Sequence, residues 1–202
     1  MRQQKSIIPP HDSGIQTNTE SSEELASEKE AKDFYLIVRQ RLMDVNNWQN
    51  RAGKPTASFQ LTDKSGKEVQ REAQKGDHFK IDIPGPGSVS GEGFDWVQIE
   101  AIEDDHNEES QFTAIRVRPA TNPLNEKKDV AHFFSEDTTS TFMVKREGKK
   151  VTAGVYGRNE KPNTSTETQI DKIRNTAIAG GAMTGFSKIQ WKSLVNGLVK
   201  KE

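Results

Sequence analysis

Between residues 23 and 53 the apolar residues recur at steps of three and four. Phe34, Val38, Leu42, Val45 and Trp48 form one stripe with Ile37 beside it, while Lys32, Arg39 and Gln40 fall elsewhere. This spacing predicts an amphipathic helix whose stripe is covered by another element. Ser21-Ser22-Glu23-Glu24 has the form of a capping box, with Ser21 as N-cap and Glu24 reaching back, and Gly53-Lys54-Pro55 ends the helix.

From there to Arg158 the period falls to two, with glycine-bearing turns between short runs, and about seven antiparallel strands are expected. Phe59 and Leu61 alternate before the turn at Asp63 to Gly66, a weak run centres on Val69, and Phe79, Ile81 and Ile83 alternate after Lys75-Gly76-Asp77. Val97, Ile99 and Ala101 make one arm of a second hairpin. The acidic loop Glu103 to Glu109 turns the chain, and Ile115 and Val117 return it. An apolar knot at Val130 to Phe134 precedes a third hairpin, Phe142 and Val144 against Val151, Ala153 and Val155, turning at Glu147-Gly148.

A helical period returns at the end. Thr166 to Gln169 reads as a second capping box, and Ile170, Ile173, Ala177 and Ile178 form a stripe up to Gly180-Gly181. A further start is expected at Ser187, with Phe186 and Trp191 as a hydrophobic staple and Leu194, Val195 and Leu198 continuing the face. Glycines cost about 1 kcal/mol each in a helix interior, so the long C-terminal helix is expected to be kinked or broken.

The first 22 residues carry no such period. They are polar, contain Pro9-Pro10 and read as a disordered tail, which leaves residues 23–202 as a single α+β domain. A helix, a curved antiparallel meander and a C-terminal helix resemble, by element order only, the helix-grip ligand-binding folds and the pleckstrin-homology barrels. Each resemblance implies a sheet covered by a terminal helix and leaves function open.

Composition narrows the classes. With 29 Lys+Arg against 30 Asp+Glu the formal net charge is -1, so no global field draws the chain to nucleic acid, and none is expected as a partner. The absence of cysteine removes disulfides, thiol nucleophiles and Cys-ligated metals, and favours a reducing, cytoplasmic setting. Ile7-Ile8 before Pro9-Pro10 is too short for the apolar region of a signal peptide. The longest near-apolar stretch, Ala177 to Met183, is far below the roughly 20 residues of a spanning helix. A soluble protein follows.

Candidate chemistry is sparse. His11, His78, His106 and His132 are scattered without metal spacing, so no metal or cofactor is expected. Gly85 to Gly93 is glycine-rich but runs into the strand at Trp96, which suits a rim loop and not a phosphate cradle. Arg116 and Arg118 share a face and should meet Glu100 and Gln98 across the second hairpin. Trp48, Trp96 and Trp191 are expected to plug helix–sheet contacts.

The densest polar cluster, Arg158-Asn159-Glu160, follows the last strand where sheet and helix diverge. With His132 from the apolar knot and Trp191 from the last helix it forms the expected ligand-binding set. No catalytic set is assigned. The leading expectation is a non-catalytic protein that binds a small molecule or partner in a pocket between sheet and C-terminal helix. A structural or protein-interaction module is the first alternative, and a small hydrolase- or isomerase-type enzyme using His132 or Glu160 as acid or base is the second.

Overall fold

A computed structural model describes residues 6–53, 56–166, 169–177 and 183–201. The chain runs β1 (Ile15–Glu24), α1 (Glu28–Met43), a 3-10 turn (Val45–Asn47), α2 (Trp48–Ala52), β2 (Ser58–Thr62), β3 (His78–Asp82), β4 (Asp95–His106), β5 (Ser110–Pro119), β6 (Thr139–Glu147), β7 (Lys150–Glu160), α3 (Gln169–Ala177) and α4 (Met183–Leu198). The strands form one antiparallel sheet in the order β1-β7-β6-β5-β4-β3-β2. Strands β1 and β2 are neighbours in sequence but lie at opposite edges, so α1 and α2 cross the sheet between them. The curved seven-stranded antiparallel sheet with its N-terminal and C-terminal helices has the element order of the helix-grip folds.

The period-two residues meet on one face. Phe59, Leu61, Phe79, Ile81, Val97, Ile99, Ile115, Val117, Phe142, Val144, Val151, Ala153 and Val155 are all buried in one core with Leu194, Val195 and Leu198 of α4. The α1 stripe joins them through Phe34, Val38, Leu42, Val45 and Trp48, whereas Ile37 is exposed. Trp48 packs edge-on to Phe59 and Phe79 and lies 4.6 Å from the Phe142 ring. Helices α2 and α4 touch backbone to backbone at Gly197, where a Cβ would lie 1.9 Å from the Arg51 carbonyl oxygen. Only glycine fits that approach.

Several expectations are corrected. Residues 15–24 are no tail: β1 pairs with β7 from Ile15↔Glu160 to Glu24↔Lys150 and supplies the seventh strand. The run at Val69 forms only an isolated bridge, Thr62↔Glu68. Since Ser21 and Glu24 lie in β1, the helix starts six residues later, where Ser27 Oγ accepts the Glu30 backbone N–H at 3.2 Å. The same Ser-x-x-Glu chemistry occurs twice, and strand pairing decides which copy caps.

Ile7 is buried as well, and its carbonyl accepts Arg116 Nη1 at 3.1 Å. It shares a groove on the convex face with Phe112 and Met143, so the segment before β1 covers the outside of β5 and β6. Ile7→Ala is expected to lower stability by roughly 2 kcal/mol in urea denaturation. An unchanged midpoint would mean that the segment contributes nothing to the fold.

In β4 a bulge between Ile99 and Ala101 switches the parity, so that Ile102 opposite Ile115, and not Ala101, packs against the core. Glu100 then faces Arg116, whose Nε donates at 3.1 Å, and it also pairs with Arg118, as the strand parity predicts. The expected loop Glu103 to Glu109 is mostly strand and turns at Asn107, whose Oδ1 accepts the Glu109 and Ser110 N–H groups. Trp96 faces away from the core beneath the glycine-rich loop, its Nε1 donating to the Gly91 carbonyl at 3.2 Å.

Helix α3 is inverted relative to its predicted stripe. Ile170 and Ile173 are exposed, and Asp171, Arg174 and Asn175 face inward. Asp171 accepts the Val89 and Ser90 N–H groups and the Ser90 hydroxyl, so the loop before β4 is the seat of α3. Ile178 and Gly180-Gly181 lie outside the described residues, as do Lys54-Pro55, Glu167-Thr168 of the second capping box and the Phe186 side chain. Ser187 lies within α4 and starts no helix. Among the described residues no helix is long and apolar enough to cross a membrane.

Candidate functional site

Strand parity decides which side chains of the 158–160 cluster enter the space under α4. Val151, Ala153 and Val155 face inward, so Gly157 follows them and Arg158 points outward with Tyr156. Asn159 then adopts a left-handed conformation, φ 56°, opposite a register shift between Ile15 and Thr17. This irregularity brings Glu160 back over Gly157. A Cβ at position 157 would lie 2.1 Å from Glu160 Oε1 and 2.4 Å from Thr17 Oγ1, so the glycine makes room for the carboxyl group.

Glu160 is 8% exposed and its Oε1 accepts a hydrogen bond from Thr17 Oγ1 at 3.2 Å. Burial pushes its pKa up to about 7, against smaller opposing effects of the Thr17 bond and the Arg158 charge. Among the described residues Arg158 forms no ion pair with it. Its Nη1 donates to Thr17 O, Asn18 Oδ1 and Gly157 O, which ties β1 to β7, and burial lowers its pKa. Asn159 is also engaged within the fold. Its Oδ1 accepts the Asp12 and Ser13 N–H groups and fastens the segment before β1. Two of the five expected residues are therefore structural fasteners.

His132 does reach the space under α4. Its segment is fixed from several sides: Trp96 N–H donates to the Ala131 carbonyl, Asn163 Nδ2 donates to Val130 O and His132 O, and Asp95 Oδ1 accepts the Phe133 N–H. The ring stacks on Phe133 at 4.4 Å, and Nδ1 accepts the Phe134 N–H at 2.9 Å. That bond assigns the proton of the neutral ring to Nε2. Burial lowers the pKa to about 4, so the ring is neutral over the physiological range; Asp95 opposes the shift and Arg174 adds to it.

His132, Glu160, Trp191 and Gln190 line one inner cavity of about 50 Å³, whose remaining wall is largely aromatic and aliphatic, including Phe59, Phe79 and Phe142. This is room for one or two water molecules. Gln190, from the middle of α4, stands outside the five expected residues. Its Oε1 accepts the Ala57 N–H at 2.8 Å, while its buried Nε2 has no hydrogen-bond partner among the described residues. Thr17 was hidden in the presumed tail. A glycine two residues after the apolar alternation of β7, with a carboxylate three further on, is the sequence signal that a side chain folds back there.

An outer groove of about 340 Å³ runs between β1 residues Ile15 to Thr19 and α4. Phe134, Glu160, Ser187 and Trp191 line both spaces and form the partition between them. Trp191 is partly buried, with its ring 6.2 Å from Phe59 and 5.3 Å from Phe142. Although His132 and Glu160 share the inner cavity, no hydrogen bond or ion pair joins them among the described residues. Nor is any group of three or more His, Cys, Asp or Glu placed to hold a metal among the described residues.

No protein-family model matches the chain, and no curated protein matches it in sequence. Solved structures do. A hypothetical protein, jhp0584 of Helicobacter pylori, is similar at 13% identity and a TM-score of 0.48 over 90% of this chain and 86% of that one. Truncated norcoclaurine synthase from Thalictrum flavum is similar at 10% identity and a TM-score of 0.38 over 96% and 99% of the two chains. The major latex-like protein 151 of Panax ginseng is similar at 13% identity and a TM-score of 0.36 over 85% of this chain and 97% of its own.

Proposed function

We propose that this chain is a non-catalytic binding domain that holds a small, mainly apolar molecule between the sheet and α4. The observation that carries the reading is the partition at Trp191 and Phe134. An apolar inner cavity and a groove of several hundred Å³ share those two rings as a wall, with Glu160 set in it and His132 and Gln190 behind. Displacing the partition would merge the two spaces into a cleft of the size and lining that small-molecule sites have: mostly apolar, with a few placed polar groups. His132 Nε2–H and Gln190 Nε2 are donors, and the Glu160 carboxyl group changes charge near neutrality. The binding reading is preferred to catalysis because His132 and Glu160 are not hydrogen-bonded to each other, and a neutral imidazole with a pKa of about 4 is a weak base. The cysteine-free composition accords with a cytoplasmic setting.

The test is titration with a neutral, environment-sensitive apolar dye such as N-phenyl-1-naphthylamine. Saturable one-to-one binding is expected. Ser140→Phe, which places a ring in the inner cavity, should weaken it tenfold or more with the circular dichroism spectrum unchanged, and Trp191→Ala should alter it in the same assay. Saturable binding that neither substitution affects would put the dye elsewhere and end the reading.

A further inference from the structure

We propose that Glu160 is a counter-ion site and that the molecule this cleft selects is an apolar amine, bound with its ammonium group against the Glu160 carboxylate and its body against Phe134 and Trp191. The inference rests on the binding reading above and adds the ligand's charge. A carboxyl group withdrawn from water is costly as an anion unless a cation or several donors compensate it. Glu160 has one donor, the neutral Thr17 hydroxyl. No Lys or Arg nitrogen lies within 4 Å of it among the described residues. The Arg158 guanidinium is on the other face of the sheet and is held by three oxygens of β1 and β7.

The groups facing Glu160 from the packed elements are few. Thr17 comes from β1, His132 from the segment before β6, and Ser187 and Lys188 from α4. Lys188 is exposed at the groove rim, and His132 stays neutral above a pH of about 4. The site therefore offers one negative charge in an aromatic wall, with no cation paired to it among the described residues and with Lys188 out at the rim. This suits an ammonium group in two ways: its N–H groups donate charge-assisted hydrogen bonds to the carboxylate, and aromatic faces attract it as a cation. A carboxylate ligand would meet repulsion at the same place.

Protonation adds a signature. Near pH 7 part of the Glu160 population is neutral, so a bound ammonium group must displace that proton into solvent. Amine affinity should then rise roughly tenfold between about pH 6 and about pH 8 as the ionised fraction grows.

Three naphthalene probes with a common body separate the possibilities in calorimetric titrations: 2-(1-naphthyl)ethylamine, 2-(1-naphthyl)ethanol and 1-naphthylacetate. The amine is expected to bind at least tenfold more tightly than the alcohol at pH 7.5, with the acid weakest, and the amine alone should show the pH dependence. Glu160→Gln should erase the preference for the amine over the alcohol. If that variant does not fold, the pH dependence of the wild-type protein with amine against alcohol decides the same point. Equal binding of amine and alcohol, or a preference that survives Glu160→Gln, overturns the amine assignment and leaves the cleft reading intact. If none of the three displaces the apolar dye and the dye itself does not saturate, the cleft reading fails and takes this inference with it.

Discussion

Glu160→Gln is expected to raise stability by ~3 kcal/mol near pH 8 and to leave it almost unchanged near pH 4. The reason is linkage. The Glu160 pKa stands at about 7 in the folded protein against an ordinary 4.5, with burial as the main cause. Between these values the native state holds a proton that the unfolded state has released, so stability falls as pH rises through the window and the loss is complete above it. Glutamine copies the shape of the neutral carboxyl group and cannot ionise. His132 works in the opposite direction: its pKa is lowered from 6.5 to about 4 by burial, so its contribution is full above pH 6.5 and is lost as pH falls through 4. The two slopes overlap and largely cancel in the wild-type protein. Urea denaturation from pH 4 to pH 8 should therefore show a Glu160→Gln variant that gains stability with rising pH, and a His132→Asn variant that loses it. Parallel curves for Glu160→Gln and wild type would show that the carboxyl group is solvated after all.

Arg174→Leu is expected to cost roughly 3–5 kcal/mol, because it leaves Asp95 charged, buried and without its partner. Asp95 and Arg174 have side chains 1% and 4% exposed, and Arg174 Nη2 donates to Asp95 Oδ2 at 2.5 Å. Arg174 Nε also donates to the Pro86 carbonyl at 2.6 Å, and Asp95 Oδ1 accepts the Phe133 N–H. One pair thus fastens α3 to the loop before β4 and to the segment that carries His132. Adding Asp95→Asn should recover part of the loss, since the stranded charge and not the missing bridge dominates it. The local consequence is readable by hydrogen exchange: the Val89 and Ser90 amides, which donate to Asp171 on the same helix, should lose protection in the variant. Full protection there, with an unchanged urea midpoint, would show that α3 is held by other contacts.

The polar seat of α3 shows where sequence periodicity misleads. Ile170, Ile173 and Ala177 make a fair apolar stripe, yet the helix buries Asp171, Arg174 and Asn175 because each finds a partner outside the helix, two of them far away in sequence. No local pattern encodes a satisfied polar network, since its members are buried only once the fold has brought their partners to them.

The alternation of Phe59 and Leu61, Phe79 and Ile81, Ile115 and Val117, and Phe142 and Val144, together with the α1 stripe, was enough to predict a curved antiparallel sheet with a helix at each end, because period and burial are linked locally. His132, Glu160 and Trp191, which the fold brings to one cavity, are polar or aromatic residues that stand near apolar runs in the sequence. What only the tertiary structure decided was parity and partnership. The bulge at Asn159 sends Glu160 inward and leaves Arg158 outside, and the polar segment Ile15–Glu24 becomes an edge strand because β7 offers it a free ladder. Backbone pairing needs no apolar side chain, so a strand held by it leaves little trace in the order of hydrophobic and polar residues.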